Sequence, residues 1–297
     1  MTEPESTFDS AAELLGRITE QLGGRLGHVR PYGRRPRERD EEARPPMNAP
    51  TLVPPVRFEH APALVAPTLV AVGHGSRDPR ARATLGRLLD RVRELRPGLD
   101  VRLAHIELNA PLLDDALARL AAEGRDAVLV PLLLAPGHHV THDLPAAAAA
   151  VGARVAEPLG AHPLLVEALA DRLAEAGWTP RRGDGVVLAS AGSRDPRSAA
   201  EIRRIAALLG ERLGGVPVVP AYASAAAPTV PAAVRALEAR GRRVAVASCF
   251  TAPGLFAARA AADAPWIASD PLGAHPALAR LVLHRYDTAR VRELATV

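Results

Sequence analysis

His74 stands between two glycines at the end of an apolar run, in TLVAVGHGSRDPR at 68–80. Glu107 follows a second such run, in IELNAPLL, and His138 and His139 follow a third, in PLLLAPGHHVTHDLP at 131–145. Two imidazoles and a carboxylate meeting at one edge suit a first-row divalent metal, and three protein ligands leave positions open for exchange. Neutral imidazole also accepts protons near neutrality, because its unperturbed pKa lies near ~6.5.

The chain carries its own comparison. GVVLASAGSRDPR at 185–197 repeats the first stretch, and an offset of 117 relates His74 to Ala191, Pro111 to Pro228, Pro136 to Pro253 and Gly137 to Gly254. PLGAHP occurs at 158–163 and 271–276, an offset of 113, so the second copy is about four residues shorter around its third helix. An α/β unit of about 110 residues has been duplicated. At matched positions the second copy has Ala191 for His74, Ser224 for Glu107, Leu255 for His138 and Phe256 for His139. A histidine needed only for packing should recur in both copies, so this joint loss marks His74, Glu107 and His139 as functional. His162 and His275 do recur, each before a proline that can open a helix, and read as turn residues. His105, two residues before Glu107, and His142, beside the N-cap candidate Asp143, are secondary candidates.

GSRDPR survives in both copies and needs a structural reason. Glycine after a strand permits a tight turn, Ser76 or Asp78 can cap the next helix, and Pro79 suits its first turn. Arg77 and Arg80 are candidates to grip an acidic ligand at that helix entrance. No GxGxxG, GxxxxGK[ST] or useful GxSxG is present.

The elements that position these residues alternate strand-like and helical patterns, which predicts parallel α/β units. TLVAVG, DVRLAHIEL, DAVLVPLLLAP and ARVAEPLG read as four strands of the first unit, and GVVLASAG, VPVVPAYAS, RVAVASCFTAP and PWIASDPLG as four of the second. With right-handed crossovers, the segments after the strands emerge at one edge, where such folds bind ligands. The expected organisation is an extension at 1–66, mostly disordered apart from an amphipathic helix at 11–27. Domains at 67–180 (with the metal site) and 181–285 (degenerate) follow, then a tail at 286–297.

Composition narrows the classes. At 297 residues and 48% hydrophobic, the chain can build two cores. Its net charge of +4 comes from arginine alone, and with aromatics at 3% the pattern argues against nucleic acid while suiting an acidic small molecule. The single Cys249 excludes a disulfide framework and reads as a buried strand thiol. No secretory signal and no membrane span is visible, so a cytoplasmic setting is expected.

GHGSRDP at 73–79, E-x-x-x-P at 107–111 and G-x-H-V-x-x-D-x-P from Gly137 to Pro145 together resemble the class II chelatases, specifically the sirohydrochlorin chelatases. The resemblance covers about 68–284. It implies two tandem chelatase-like domains, each a four-stranded parallel sheet flanked by helices, with the active-site cleft between them. By motif position His74 and His139 match the family's two histidines, as metal ligands and bases, and Glu107 its acidic metal contact; His138 takes a usually apolar position. The implied activity is that of a lyase: ATP-independent insertion of Fe(II) or Co(II), in some members Ni(II), into sirohydrochlorin for sirohaem or cobalamin synthesis. No permanently bound cofactor is expected, and the metal is a substrate. The macrocycle's carboxylates give Arg77 and Arg80 a purpose, and the degenerate domain should form one wall of the cleft. With both halves on one chain a monomer suffices, a homodimer being the alternative. The rival readings are a metal or tetrapyrrole carrier without turnover and a histidine phosphatase-like enzyme. The latter wants an arginine immediately before the histidine, where Gly73 stands.

Overall fold

The computed structural model describes residues 66–294. The expected extension up to residue 65, its helix at 11–27, and residues 295–297 lie outside the described residues.

The first half runs β1 (Thr68–Gly73), α1 (Pro79–Leu95), β2 (Val101–His105), α2 (Leu113–Ala122) and β3 (Ala127–Pro131). A π-helical turn (His139–Asp143), α3 (Leu144–Ala150), β4 (Arg154–Val155) and α4 (Pro163–Glu175) complete it. The second half repeats the order with β5 (Asp184–Ser190), α5 (Pro196–Arg212), β6 (Val218–Tyr222), α6 (Val230–Glu238) and β7 (Arg243–Ser248). It ends with α7 (Leu255–Ala262), β8 (Ile267–Ala268) and α8 (Pro276–Leu294). Each half forms a four-stranded sheet, ordered β2-β1-β3-β4 and β6-β5-β7-β8, with every pair parallel. The α/β reading with two four-stranded parallel sheets is thus met.

The strands alternate faces as their period of two requires. Val70 and Val72 pack outward with Leu113, Leu117, Leu120 and Leu144 of α2 and α3. Leu69 and Ala71 face inward, into a core that also contains Val186 and Leu188 of β5. One continuous inner core therefore joins the two sheets. Helices α1, α4, α5 and α8 supply its middle layer, where α4 packs against β7 of the second sheet and α8 against β3 of the first. Each half's last helix thus reaches the other half's sheet.

Residues 286–294 of the expected tail are instead the end of α8. Tyr286 is fully buried, its hydroxyl donates to the Pro67 carbonyl at 2.6 Å, and Arg96 grips Asp287 with two bonds of 2.5 and 2.8 Å. Leu281, Val282 and Tyr286 of α8 lie buried in the core shared by both sheets, and the helix continues past the sequence-predicted boundary. Among the described residues no helix is long and apolar enough to cross a membrane.

Candidate active site

In a sheet ordered β2-β1-β3-β4 the connections diverge between β1 and β3, and a crevice opens outside the carboxyl ends of those strands. His74 follows β1 directly and His139 lies eight residues beyond β3, so the two flank that switch point. Glu107 follows β2, the neighbour of β1. The main chain beyond the strands holds them in place: Ile106 N–H donates to the Gly73 carbonyl at 2.9 Å and Glu107 N–H to the His74 carbonyl at 3.0 Å.

The two glycines around His74 have separate reasons. A Cβ on Gly73 would meet Leu85 at 3.0 Å and the buried His105 ring at 3.4 Å. Gly75 has φ +108°, and a Cβ there would lie 1.9 Å from the Glu107 carbonyl oxygen. Gly192 repeats this against Ser224, and Leu108 (φ 66°) is matched by Ala225 (φ 55°), so the strained loop belongs to the fold of both halves. What differs is what the loop presents.

His74 Nδ1 lies 3.3 Å from Glu107 Oε1, and the rings of His74 and His139 meet edge to face with centroids 4.9 Å apart. His139 Nδ1 is 2.6 Å from Asp143 Oδ2. The three sequence-predicted residues are therefore neighbours, and their side chains stay open to solvent, at 47% for His74, 51% for Glu107 and 35% for His139. Among the described residues no group of three or more His, Cys, Asp or Glu is placed so that it could hold a metal ion. Instead the side chains pair off, His74 with Glu107 and His139 with Asp143, which leaves the Nε2 atom of each imidazole outside those pairings.

Other candidates fall elsewhere. The Arg80 guanidinium forks its own helix-capping Asp78 at 2.7–3.3 Å, and Arg197 does the same on Asp195. These arginines hold both aspartates below the usual carboxylate range. Arg80 is thus part of a cap that both halves need, whereas Arg77 is exposed and makes no ion pair among the described residues. His162 and His275 are N-caps whose Nδ1 atoms accept from Leu164 N–H and Ala277 N–H at 3.1 and 3.2 Å. Burial pushes the Cys249 thiol up to about 12, as suits an inert packed residue.

Asp143 makes no side-chain hydrogen bond to the start of α3; its carboxylate goes to His139. The spacing of four residues, which puts two side chains on one side of a helical turn, was the signal for this pairing.

The second half closes over the site with its own turn. A Cβ on Gly254 would lie 3.4 Å from Ser76 Oγ, and one on Gly137 3.8 Å from Ser193 Oγ, so each half's loop after its third strand touches the other's turn after its first. Leu255 and Phe256 follow Gly254 and are 63% and 37% exposed. Apolar side chains thus stand open at the junction, where the first half has histidines.

Three comparisons agree on kinship. The chain is 26% identical over 208 residues to a sirohydrochlorin cobaltochelatase of Priestia megaterium, covering 65% of this chain and 66% of that protein. It is 27% identical over 168 residues to a sirohydrochlorin ferrochelatase of Bacillus subtilis, covering 54% and 64% respectively. The matches thus span slightly under two thirds of each relative's length. Among solved structures, SirB from Bacillus subtilis with Fe3+ superposes with a TM-score of 0.63 at 23% identity, covering 77% of this chain and 97% of that one, which shows a shared fold. The family model CbiX matches residues 68–176 and again 185–289, one copy on each half, and so the chain belongs to the CbiX family, with the family's unit present twice.

Proposed function

We propose that the protein is a sirohydrochlorin chelatase, a lyase that inserts Fe(II) or Co(II) into the macrocycle without ATP, in the cytoplasm, for sirohaem or cobalamin synthesis. The observation that carries this reading is the asymmetry of the duplicated site. One half presents His74 beside both Glu107 and His139, while the other keeps the first two loops with Ala191 and Ser224 and has Leu255 and Phe256 at the start of α7. A metal on one side and a flat apolar ring on the other would use such a pair of walls. The names of the relatives from Priestia megaterium and Bacillus subtilis support the same substrate.

In this proposal His74 Nε2, His139 Nε2 and the Glu107 carboxylate hold the divalent ion, which leaves coordination positions for the incoming pyrrole nitrogens. Insertion exchanges one dication for two pyrrole N–H protons, so two protons must be taken up for each ion delivered. As the metal leaves, the freed imidazoles and Glu107 are the adjacent acceptors, and imidazole's ordinary pKa near ~6.5 suits it to take a proton and pass it to water. The nitrogen and oxygen donor set suits both iron and cobalt. The exposed Leu255 and Phe256 would support the ring face, and Arg77 would pair with a rim carboxylate. Both walls come from one chain, so a monomer is sufficient.

Anaerobic mixing with sirohydrochlorin and Fe(II) or Co(II) tests the proposal. The expected result is a change of the visible spectrum much faster than the uncatalysed reaction, with turnover beyond one equivalent. Tight binding of metal or macrocycle with no rate enhancement would instead identify a carrier.

A further inference from the structure

The loops after the first two strands share one main-chain frame in the two halves. Glu107 N–H donates to the His74 carbonyl at 3.0 Å, as Ser224 N–H does to the Ala191 carbonyl at 2.9 Å. Asn109 N–H donates to the Glu107 carbonyl at 2.8 Å, as Ala226 N–H does to the Ser224 carbonyl at 2.7 Å. Ser76 Oγ and Ser193 Oγ each accept from the N–H two residues on, of Asp78 and Asp195, at 3.1 Å.

The side chain that ties the two loops together is where the halves differ. In the second half Ser224 Oγ donates to the Ala191 carbonyl at 3.0 Å. Glu107 occupies the matching position, and an ionised carboxylate has no proton with which to make that bond. In the first half the tie comes from two residues further on: Asn109 Oδ1 accepts from Ser76 N–H at 2.7 Å. Ala226 stands opposite Asn109 in the second half, with a methyl group that accepts nothing. A loop asparagine commonly bonds its own backbone two residues on, whereas this one reaches 33 residues back. Its bond joins the residue two past Glu107 to the residue two past His74. Ser76 Oγ also faces Gly254 across the junction, at 3.4 Å from where a Cβ would lie, so the same bond holds a turn that touches the other half.

We propose that Asn109 is a positioning residue of the candidate metal site. It takes over the loop tie that Ser224 makes in the second half, which leaves the Glu107 carboxylate to face His74 and a divalent ion. It touches neither the metal nor the macrocycle itself. Groups that orient ligands from behind typically change metal affinity or activity by 10- to 100-fold when removed. The effect on insertion rests on the chelatase reading; the effect on ion binding does not.

Co(II) titration of the full chain, followed by visible absorption, tests this with Asn109→Ala, Asn109→Asp and Ser224→Ala beside the wild type. Each alanine variant removes one loop tie, so both should stay folded with similar, small drops in melting temperature. Only Asn109→Ala should bind Co(II) about tenfold more weakly, with a shifted cobalt band, and insert metal more slowly at limiting Co(II). Asn109→Asp keeps the acceptor and should restore the wild-type band, which reports ligand geometry and which added charge alone would not restore. Wild-type Co(II) affinity in Asn109→Ala, an equal loss of affinity in Ser224→Ala, or a band in Asn109→Asp like that of the alanine variant would overturn the positioning role. Weaker Co(II) binding in Asn109→Ala, together with a wild type that inserts no metal, would overturn the chelatase reading and leave the positioning role standing.

Discussion

Gly75 and Glu107 touch through the main chain: a Cβ on Gly75 would sit 1.9 Å from the Glu107 carbonyl oxygen, a contact that Gly192 and Ser224 repeat in the second half. The duplication turns this contact into a controlled experiment. Gly75→Ala must strain a backbone at φ +108° and push the Glu107 loop away, while Gly192→Ala does the same at φ +90° to a loop without an acid. Both variants should lose about 1–3 kcal/mol of stability from the backbone conformation alone. Only Gly75→Ala should also weaken Co(II) binding, measured by equilibrium titration. Equal effects on cobalt affinity would disconnect the loop from the metal.

In the proposed chelatase, Asp143 should act on the reaction through His139. Its carboxylate, 2.6 Å from Nδ1, fixes which ring nitrogen faces the cleft. Asp143→Ala should lower the insertion rate at saturating metal about 10- to 100-fold with an unchanged melting temperature, and Asp143→Asn, which keeps an oxygen for the ring N–H, should recover part of it. No difference between the Ala and Asn variants would speak against the pairing.

Stability should fall in mild acid. Burial pushes the imidazoles of His105, His162 and His275 below their ordinary range. The neighbouring charges of Arg82, of His284 with Arg285, and of Arg172 add to the effect in turn, although Asp171 opposes it at His275. The unfolded chain then binds protons at a higher pH than the folded one, so stability is full above the unfolded pKa near ~6.5 and is lost as pH falls below it. Melting temperatures at pH 7.5, 6.5 and 5.5 should drop in that order. Asparagine at both 162 and 275 keeps an N-cap acceptor without a titrating ring and should flatten part of the slope. A wild-type melting temperature that rises on acidification would contradict the assignment.

Tyr286 ties α8 to the segment that leads into β1. Tyr286→Ala removes a fully buried ring from the core and should cost about 3–5 kcal/mol in urea unfolding. Tyr286→Phe leaves the ring and removes the hydroxyl's bonds to the Pro67 carbonyl and to Arg290, for about 1 kcal/mol each. A negligible effect of the alanine variant would mean that α8 is not part of the first half's core.

Much of this architecture is legible in the amino-acid order. Asp78-Pro79 marks the start of α1 because a capping acid followed by proline suits a first turn, and the helix begins at Pro79 with Asp78 as its cap. His74, Glu107 and His139 stand out when the copies are compared, because residues kept for chemistry can be lost where a fold is kept. The exchange of α4 and α8 between the halves is not legible, since an apolar stripe states that a helix is buried but not against which sheet. For the same reason Tyr286 falls in a segment that reads as a tail. Asp143 misleads: an acid beside a helix entrance suggests a cap, whereas its carboxylate goes to His139.

The rate of Co(II) insertion into sirohydrochlorin by His74→Ala/His139→Ala, set beside the wild type under anaerobic conditions, tests the central claim most directly. The account predicts that the wild type accelerates the spectral change over many turnovers and that the double variant, still folded by circular dichroism, falls to the uncatalysed rate. A double variant that inserts metal as fast as the wild type would contradict it.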